Sequence, residues 1–151
     1  MSSKFGPSGG VGGSAYDAPT PTSNGPWRIS EAQGRSGSRI DQIELIWSNS
    51  VGSTKSSPTF GGGGGDPFEF TIENGDYLTE IRGSVGSNNN SVVLFSLQFF
   101  TKSGKVSPVF GSSTPASFYF QSPPGYQITG IFGRSGSAVD ALGVYIDLIP
   151  S

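Results

Sequence analysis

Short apolar runs alternate with glycine- and serine-rich breaks along the whole chain. Residues 68–72, Phe-Glu-Phe-Thr-Ile, alternate strictly between apolar and polar, the period of a strand with one buried face. The stretch 91–101 carries Val92, Val93, Leu94, Phe95, Leu97, Phe99 and Phe100, and 128–132 and 139–148 are similar β-branched or aromatic runs. Such side chains suit a pleated, half-buried surface. Asn74-Gly75-Asp76 and Pro123-Pro124-Gly125 are turn signals between runs. No stretch holds a 3.6-residue period bounded by caps. The pattern predicts an all-β protein.

The breaks themselves repeat. Gly34-Arg35-Ser36-Gly37-Ser38 recurs unchanged as Gly133-Arg134-Ser135-Gly136-Ser137, and Arg39-Ile40-Asp41 is matched in type by Ala138-Val139-Asp140. Between them lies a weaker copy, Gly83-Ser84-Val85-Gly86-Ser87 followed by Asn88-Asn89-Asn90. A second feature keeps the same phase: Gly9-Gly10-Val11-Gly12-Gly13, then five glycines from Gly61 to Gly65, then a degraded Gly111-Ser112-Ser113. Each period of about fifty residues leaves room for about four short strands, so three units give about twelve. A β-prism of three four-stranded Greek-key sheets with pseudo-threefold symmetry fits that count, and so does a β-trefoil. Trefoils usually carry a Gln-x-Trp signature, which is absent here. The prism is therefore the expected fold, with the trefoil as the alternative.

Composition narrows the chemistry. The 151 residues include 24 glycines and 11 prolines, a share that can signal low complexity. Here aromatic and β-branched residues are spread between the glycines, so a single packed domain over 1–151 rich in turns is expected. Cysteine and histidine are both absent, which removes disulfides, thiolate and imidazole metal sites, cysteine nucleophiles and Ser-His triads. No cofactor or metal is expected. The net charge of −2 gives no electrostatic case for nucleic acid or an anionic membrane. No run of 18 apolar residues and no leader-like apolar segment occurs. A cytoplasmic or otherwise soluble chain is expected, with an extracellular chain shorn of its leader still open.

These features resemble the jacalin-related lectins over nearly the whole chain. The stretch 6–17, Gly-Pro-Ser-Gly-Gly-Val-Gly-Gly-Ser-Ala-Tyr-Asp, is similar to that family's opening strand and glycine loop. Asp66-Pro67-Phe68 also fits, and Phe132-Gly133-Arg134 through Asp140-Ala141-Leu142-Gly143-Val144-Tyr145 looks like its closing motif. The Gly-x-x-x-Asp pattern is weak by itself and specific in this combination. The resemblance implies a β-prism I fold and sugar binding without catalysis, each Gly-x-x-x-Asp loop facing a glycine loop at one end of the prism. It places one site at Gly13 with Gly136, Ser137, Ala138 and Asp140. A second falls at Gly65 with Gly37, Ser38, Arg39 and Asp41. A third, at Gly86, Asn90 and Gly111, is expected to be weak or lost, because an amide offers one carbonyl acceptor where a carboxylate offers two oxygens.

The residue types suit the task. An ionised carboxylate accepts from two adjacent sugar hydroxyls, and charge-assisted bonds are stronger than neutral ones. Loop N–H groups donate back, and glycine lets the backbone approach closely. The x positions are then free to differ between copies. Galactose-specific members of the family are cleaved to expose an α-amino group at the glycine loop; here Gly13 lies inside a continuous stretch, so the resemblance implies mannose or glucose preference. The expected partners are mannose-containing glycans or glycoproteins, engaged by a homodimer able to agglutinate. Two other readings compete: a structural or partner-binding module with decayed sites, and a glycosidase. The latter needs two carboxylates about 5–9 Å apart, whereas each loop supplies one aspartate, with Glu44 and Asp147 farther along the strands. Trp27 and Trp47 read as packing residues, and Arg35 and Arg134 equally as site-rim or solvated charges.

Overall fold

The computed structural model describes residues 2–150, and all regular structure in it is β. In chain order the strands are β1 Ser3–Gly9, β2 Ser14–Ala18, β3 Trp27–Ser36, β4 Ile40–Asn49, β5 Thr54–Ser56, β6 Phe60–Gly61 and β7 Asp66–Thr71. They continue with β8 Leu78–Asn88, β9 Ser91–Thr101, β10 Phe110–Gly111, β11 Ala116–Gln121, β12 Tyr126–Ser135 and β13 Val139–Leu148. Three antiparallel sheets form. One runs β7-β3-β4-β5, with β6 also on β4; one runs β11-β8-β9-β10; and the last is β2-β12-β13-β1. In the first two the long central hairpin is flanked by the strand that follows it and by one returning beside the first, the Greek-key order. The third sheet is assembled from both ends of the chain, β1 and β2 closing around β12 and β13. The expected β-prism is the observed fold.

The first of these sheets differs in detail from a plain four-stranded sheet. Its outer edge is split into β5 and β6, which pair with different parts of β4. The break falls at Ser57-Pro58, where proline has no N–H to give a ladder. Ser57 compensates: its Oγ accepts from the Leu45 N–H at 3.0 Å. Ser107-Pro108 repeats the device in the next sheet, Ser107 Oγ accepting from Phe99 N–H at 2.8 Å.

Alternate residues of the hairpins point to the prism axis. Ile29, Leu45, Ile81, Leu97, Phe99, Ile128, Ile131 and Val144 are fully or almost fully buried there, joined by Trp27 and Trp47. The Trp47 indole donates to the Thr129 carbonyl at 2.8 Å, which ties the first hairpin to the last. Two corners of the prism are closed by stacked rings, Tyr16 on Phe60 at 4.4 Å and Phe68 on Phe110 at 4.3 Å between centroids. Tyr16 also donates its hydroxyl to the Ala141 carbonyl at 3.0 Å.

One irregularity recurs in all three hairpins. The register slips between Arg35 and Ser36, between Ser84 and Val85, and between Arg134 and Ser135. The partner strand then carries one extra residue: Asp41, Phe95 and Asp140 respectively. A bulge of this kind re-aims a side chain out of the strand's alternation. The pseudo-threefold symmetry therefore fixes three equivalent positions, and two of them hold a carboxylate.

Candidate functional site

The bulge residues lie against the glycine loops. Each gives its backbone carbonyl to the loop that starts beside it: Gly10 N–H to Asp140 O, Gly62 N–H to Asp41 O and Ser112 N–H to Phe95 O, each at 2.8 Å. In the first site a Cβ placed on Gly13 would stand 2.9 Å from Asp140 Oδ1, and one on Gly12 would stand 2.8 Å from Oδ2. In the second, the same atom on Gly65 would stand 2.7 Å from Asp41 Oδ2. Gly13 and Gly65 also hold φ at +68° and +70°, a conformation that side chains with a Cβ disfavour. Glycine is thus required twice over, for the turn and for the carboxylate. The facing loop is equally close: Cα of Gly13 lies 3.6 Å from the Cβ site of Gly136, and Cα of Gly65 lies 3.7 Å from that of Gly37. Gly13, Gly136, Ser137, Ala138 and Asp140 are brought together, as are Gly65, Gly37, Ser38, Arg39 and Asp41. Both loops of each pair belong to one sheet.

Arg134 and Arg35 prove to be structural parts of the sites. Arg134 donates from Nε to Gly12 O at 3.0 Å and from Nη2 to Gly13 O at 2.8 Å. Arg35 repeats this on Gly64 O at 3.1 Å and Gly65 O at 2.7 Å. A planar guanidinium spans two successive carbonyls in a way a point charge does not, so each arginine pins the peptide that the loop presents. The recurrence of arginine in both Gly-Arg-Ser-Gly-Ser copies was the available sequence signal. In the third copy Ser84 takes the arginine position and only reaches Ser112 O at 3.4 Å while accepting from Thr114 N–H at 3.2 Å.

The third copy corrects the sequence-based expectation. Asn90 does not occupy the aspartate position. Strands β8 and β9 continue for three further pairs, Gly86 with Val93, Ser87 with Val92 and Asn88 with Ser91, and turn through Asn89 and Asn90, both at positive φ. That is the two-residue hairpin turn that asparagine tolerates. Asn90 therefore sits at the hairpin tip, Gly86 lies within the strand, and Phe95 fills the bulge. Gly111 matches Gly9 and Gly61 in its place, but Pro115 stands immediately before β11 where Gly13 and Gly65 stand before β2 and β7. Proline has no N–H to offer.

The extended hairpin has a further effect. A cavity of about 230 Å³ surrounds Asp140, bounded by Gly13 and the 136–138 loop on one side. Asn88, Asn89, Ser91 and Val93 of the β8–β9 hairpin also line it, as does Arg39 of the second site. This volume is below the ~300–1,000 Å³ of sites for drug-sized ligands, and its lining is mostly polar. The sequence marked Asn88 and Asn89 only as part of a weaker copy and Arg39 only as part of the second site; that they line the first site follows from the packing of sheets.

The two carboxylates differ in their surroundings. Asp140 is buried, yet among the described residues no donor is hydrogen-bonded to its side chain. Burial pushes its pKa above the ordinary 3.8, while the positive charges of Arg134 and Arg39 pull against the rise. Asp41 is equally buried but already engaged: Arg39 Nε donates to its Oδ1 at 3.0 Å. The N–H groups of Gly13, Ser137 and Ala138 have no backbone acceptor among the described residues. The first site thus presents two free carboxylate oxygens and several free N–H donors to one small polar cavity.

The raised pKa gives a signed expectation. If the carboxylate is the binding form, affinity at the first site is full above the raised pKa and is lost as pH falls through it. The loss sets in at higher pH than for an aspartate at 3.8. Calorimetric titration with methyl mannoside from about pH 7 downward measures this, and a midpoint at or below 3.8 would contradict the geometry.

Residues 5–145 match the model of the jacalin-like lectin domain. The chain belongs to that family. Horcolin of barley is 34% identical over 144 residues, covering 95% of each chain. Among solved structures, the wild-type Malaysian banana lectin superposes with a TM-score of 0.84 at 31% identity, over 99% of this chain and 100% of that one. A mannose-specific jacalin-related lectin from Morus nigra, solved in complex with mannose, superposes at 0.85 with 25% identity, over 98% and 96% of the two chains. The chain is accordingly a carbohydrate-binding lectin of a non-catalytic family. The absence of histidine and cysteine from its sequence is consistent with that.

Proposed function

We propose that this lectin binds mannose- and glucose-type sugars at two sites at one end of the prism, Asp140 with the Gly13 loop and Asp41 with the Gly65 loop. The observation that carries the reading is the repeated bulge. Twice it sets a buried carboxylate within 3.0 Å of the space above a glycine loop that an arginine holds rigid. A neutral sugar presents vicinal hydroxyls that donate to the carboxylate and oxygens that accept from loop N–H groups. At Asp140 the donors come from Gly13, Ser137 and Ala138; at Asp41 they come from Gly65, Ser38 and Arg39. The third position, with Phe95 at the bulge and Pro115 where Gly13 and Gly65 stand, lacks the carboxylate and the N–H of that residue, and binds sugar weakly or not at all.

Mannose preference rests on the uncut loop. Gly13 joins β1 to β2 within a continuous chain, so it offers a neutral amide and no ammonium. The Morus nigra lectin is mannose-specific, which agrees. A single shallow site of this kind binds at about millimolar affinity, near −4 kcal/mol. Linked sites raise avidity by about 10² to 10⁴ when geometry permits. Two sites on one prism end lie too close to bridge cells, so a homodimer with outward-facing ends is the form that agglutinates.

Calorimetry with methyl α-mannoside and with galactose, together with light scattering, tests the reading. Two sugars per chain, competition by mannose only, and the mass of a dimer are the expected results. Binding of galactose in preference to mannose would overturn the specificity, and a monomer that still agglutinates would remove the dimer while leaving the sites in place.

A further inference from the structure

We propose that Arg39 ranks the two sugar sites, by competing with sugar for Asp41 while standing at the wall of the site around Asp140. The inference rests on the two-site reading and extends it.

The two Gly-x-x-x-Asp loops differ only at Arg39 against Ala138 and Ile40 against Val139, and only the first of these changes the polar groups beside the carboxylate. The first site has Ala138 at that position and the second has Arg39. The difference is decisive for the carboxylate. Arg39 Nε donates to Asp41 Oδ1 at 3.0 Å, with the Asp41 side chain 7% exposed and the Arg39 side chain 26% exposed. One of the two carboxylate oxygens that sugar hydroxyls would use is thus already engaged in a partly desolvated ion pair. Asp140 has no such rival.

Arg39 also belongs to the neighbouring site. It lines the cavity around Asp140 together with Gly136 and Asn88. The sites abut through the backbone as well, since a Cβ on Gly62 of the second glycine loop would lie 3.3 Å from Cα of Ser137. One guanidinium therefore bounds both sites. Its charge reaches Asp140 too, where it opposes the effect of burial.

Sugar in the second site must compete with Nε for Asp41 Oδ1, sharing that oxygen or displacing the arginine from it. That competition lowers affinity there and leaves the Asp140 site as the stronger of the two. The competing bond is between opposite charges near the surface, so salt weakens it, whereas the bonds from neutral sugar hydroxyls depend on salt much less.

The experiment isolates the second site by Asp140→Asn and titrates the full chain with methyl α-mannoside. In that background Arg39→Ala, which keeps the backbone N–H, is expected to raise affinity about tenfold, or 1.4 kcal/mol. Arg39→Gln, which keeps the length without the charge, should reproduce most of the gain. Adding Asp41→Asn should abolish it. Raising salt should strengthen second-site binding while Arg39 is present and have little effect in Arg39→Ala. Unchanged or weaker second-site binding in both Arg39 variants, each melting as a folded protein, overturns the proposal. If Asp140→Asn by itself leaves all binding as it was, the sugar-site reading fails instead, so the two failures are distinguishable.

Discussion

Asp140→Asn is expected to weaken sugar binding at the first site by roughly 10- to 150-fold, the loss of about 1.5–3 kcal/mol that accompanies removal of a charged acceptor. The substitution keeps size and shape, so the loop carbonyl that accepts from Gly10 N–H is unaffected. It also removes a group whose ionisation burial opposes. The fold should therefore melt no lower than that of the unaltered chain. Among the described residues no donor is hydrogen-bonded to the carboxylate, which separates this position from a structural aspartate such as Asp76. That residue holds Ser103 through both N–H and hydroxyl, at 2.9 and 2.6 Å. Calorimetry and a thermal melt on the same sample decide the matter. Unchanged affinity with Asp140→Asn would refute the assignment of the first site.

Arg134→Ala is expected to cost as much affinity as the loss of a direct contact, although the arginine is placed behind the loop and not against the sugar. Its two bonds, to Gly12 O and Gly13 O, hold the peptide whose N–H faces Asp140. Charge-assisted bonds of this type are each worth about 1.5–3 kcal/mol when made to a fixed partner. Part of that is recovered by water at this exposed edge, so a drop of about 10- to 100-fold is expected. Arg134→Lys should not restore binding, because an ammonium cannot bridge two carbonyls in the plane of a fork. Removal of the positive charge should also move the acid limb of binding to higher pH, since Arg134 holds the Asp140 pKa down. A purely solvated Arg134 would show none of these effects. Full affinity in Arg134→Ala would return it to that class. The β8–β9 sheet already contains the experiment in part: with Ser84 in place of arginine, its loop runs through Thr114 and Pro115 with no comparable clamp.

Much of the site was legible because its parts are local. A Gly-x-x-x-Asp loop is a hairpin connection followed by a bulge, and both are set by residues within a few positions of one another. The glycine loops could be read in the same way, since the need for positive φ at Gly13 and Gly65 is a property of one residue and its immediate turn. Which glycine loop faces which aspartate came from the resemblance to the jacalin-related lectins and not from the phase of the repeats. The same local reading failed in the third copy. Counting from Gly83-Ser84 to the next polar residue in phase led to Asn90, but the extended hairpin shifts the count, and Phe95 is the residue at the bulge. Spacing along a chain does not reveal how many pairs a hairpin makes before it turns.

The sequence by itself determined the β class, the threefold repeat, the buried tryptophans and the two carboxylate loops, because alternation, turn residues and glycine conformation act over a few bonds. Only the tertiary structure decided what surrounds those loops. It joined the two ends of the chain in one sheet, so that Gly13 meets Asp140. It set Arg134 behind the first loop, Asn88 and Ser91 of another sheet across the cavity, and Arg39 between the two carboxylates. Such contacts join residues far apart in sequence through sheet packing and side-chain reach. Burial, charge pairing and the free valence of each aspartate follow from that packing, and no local pattern encodes them.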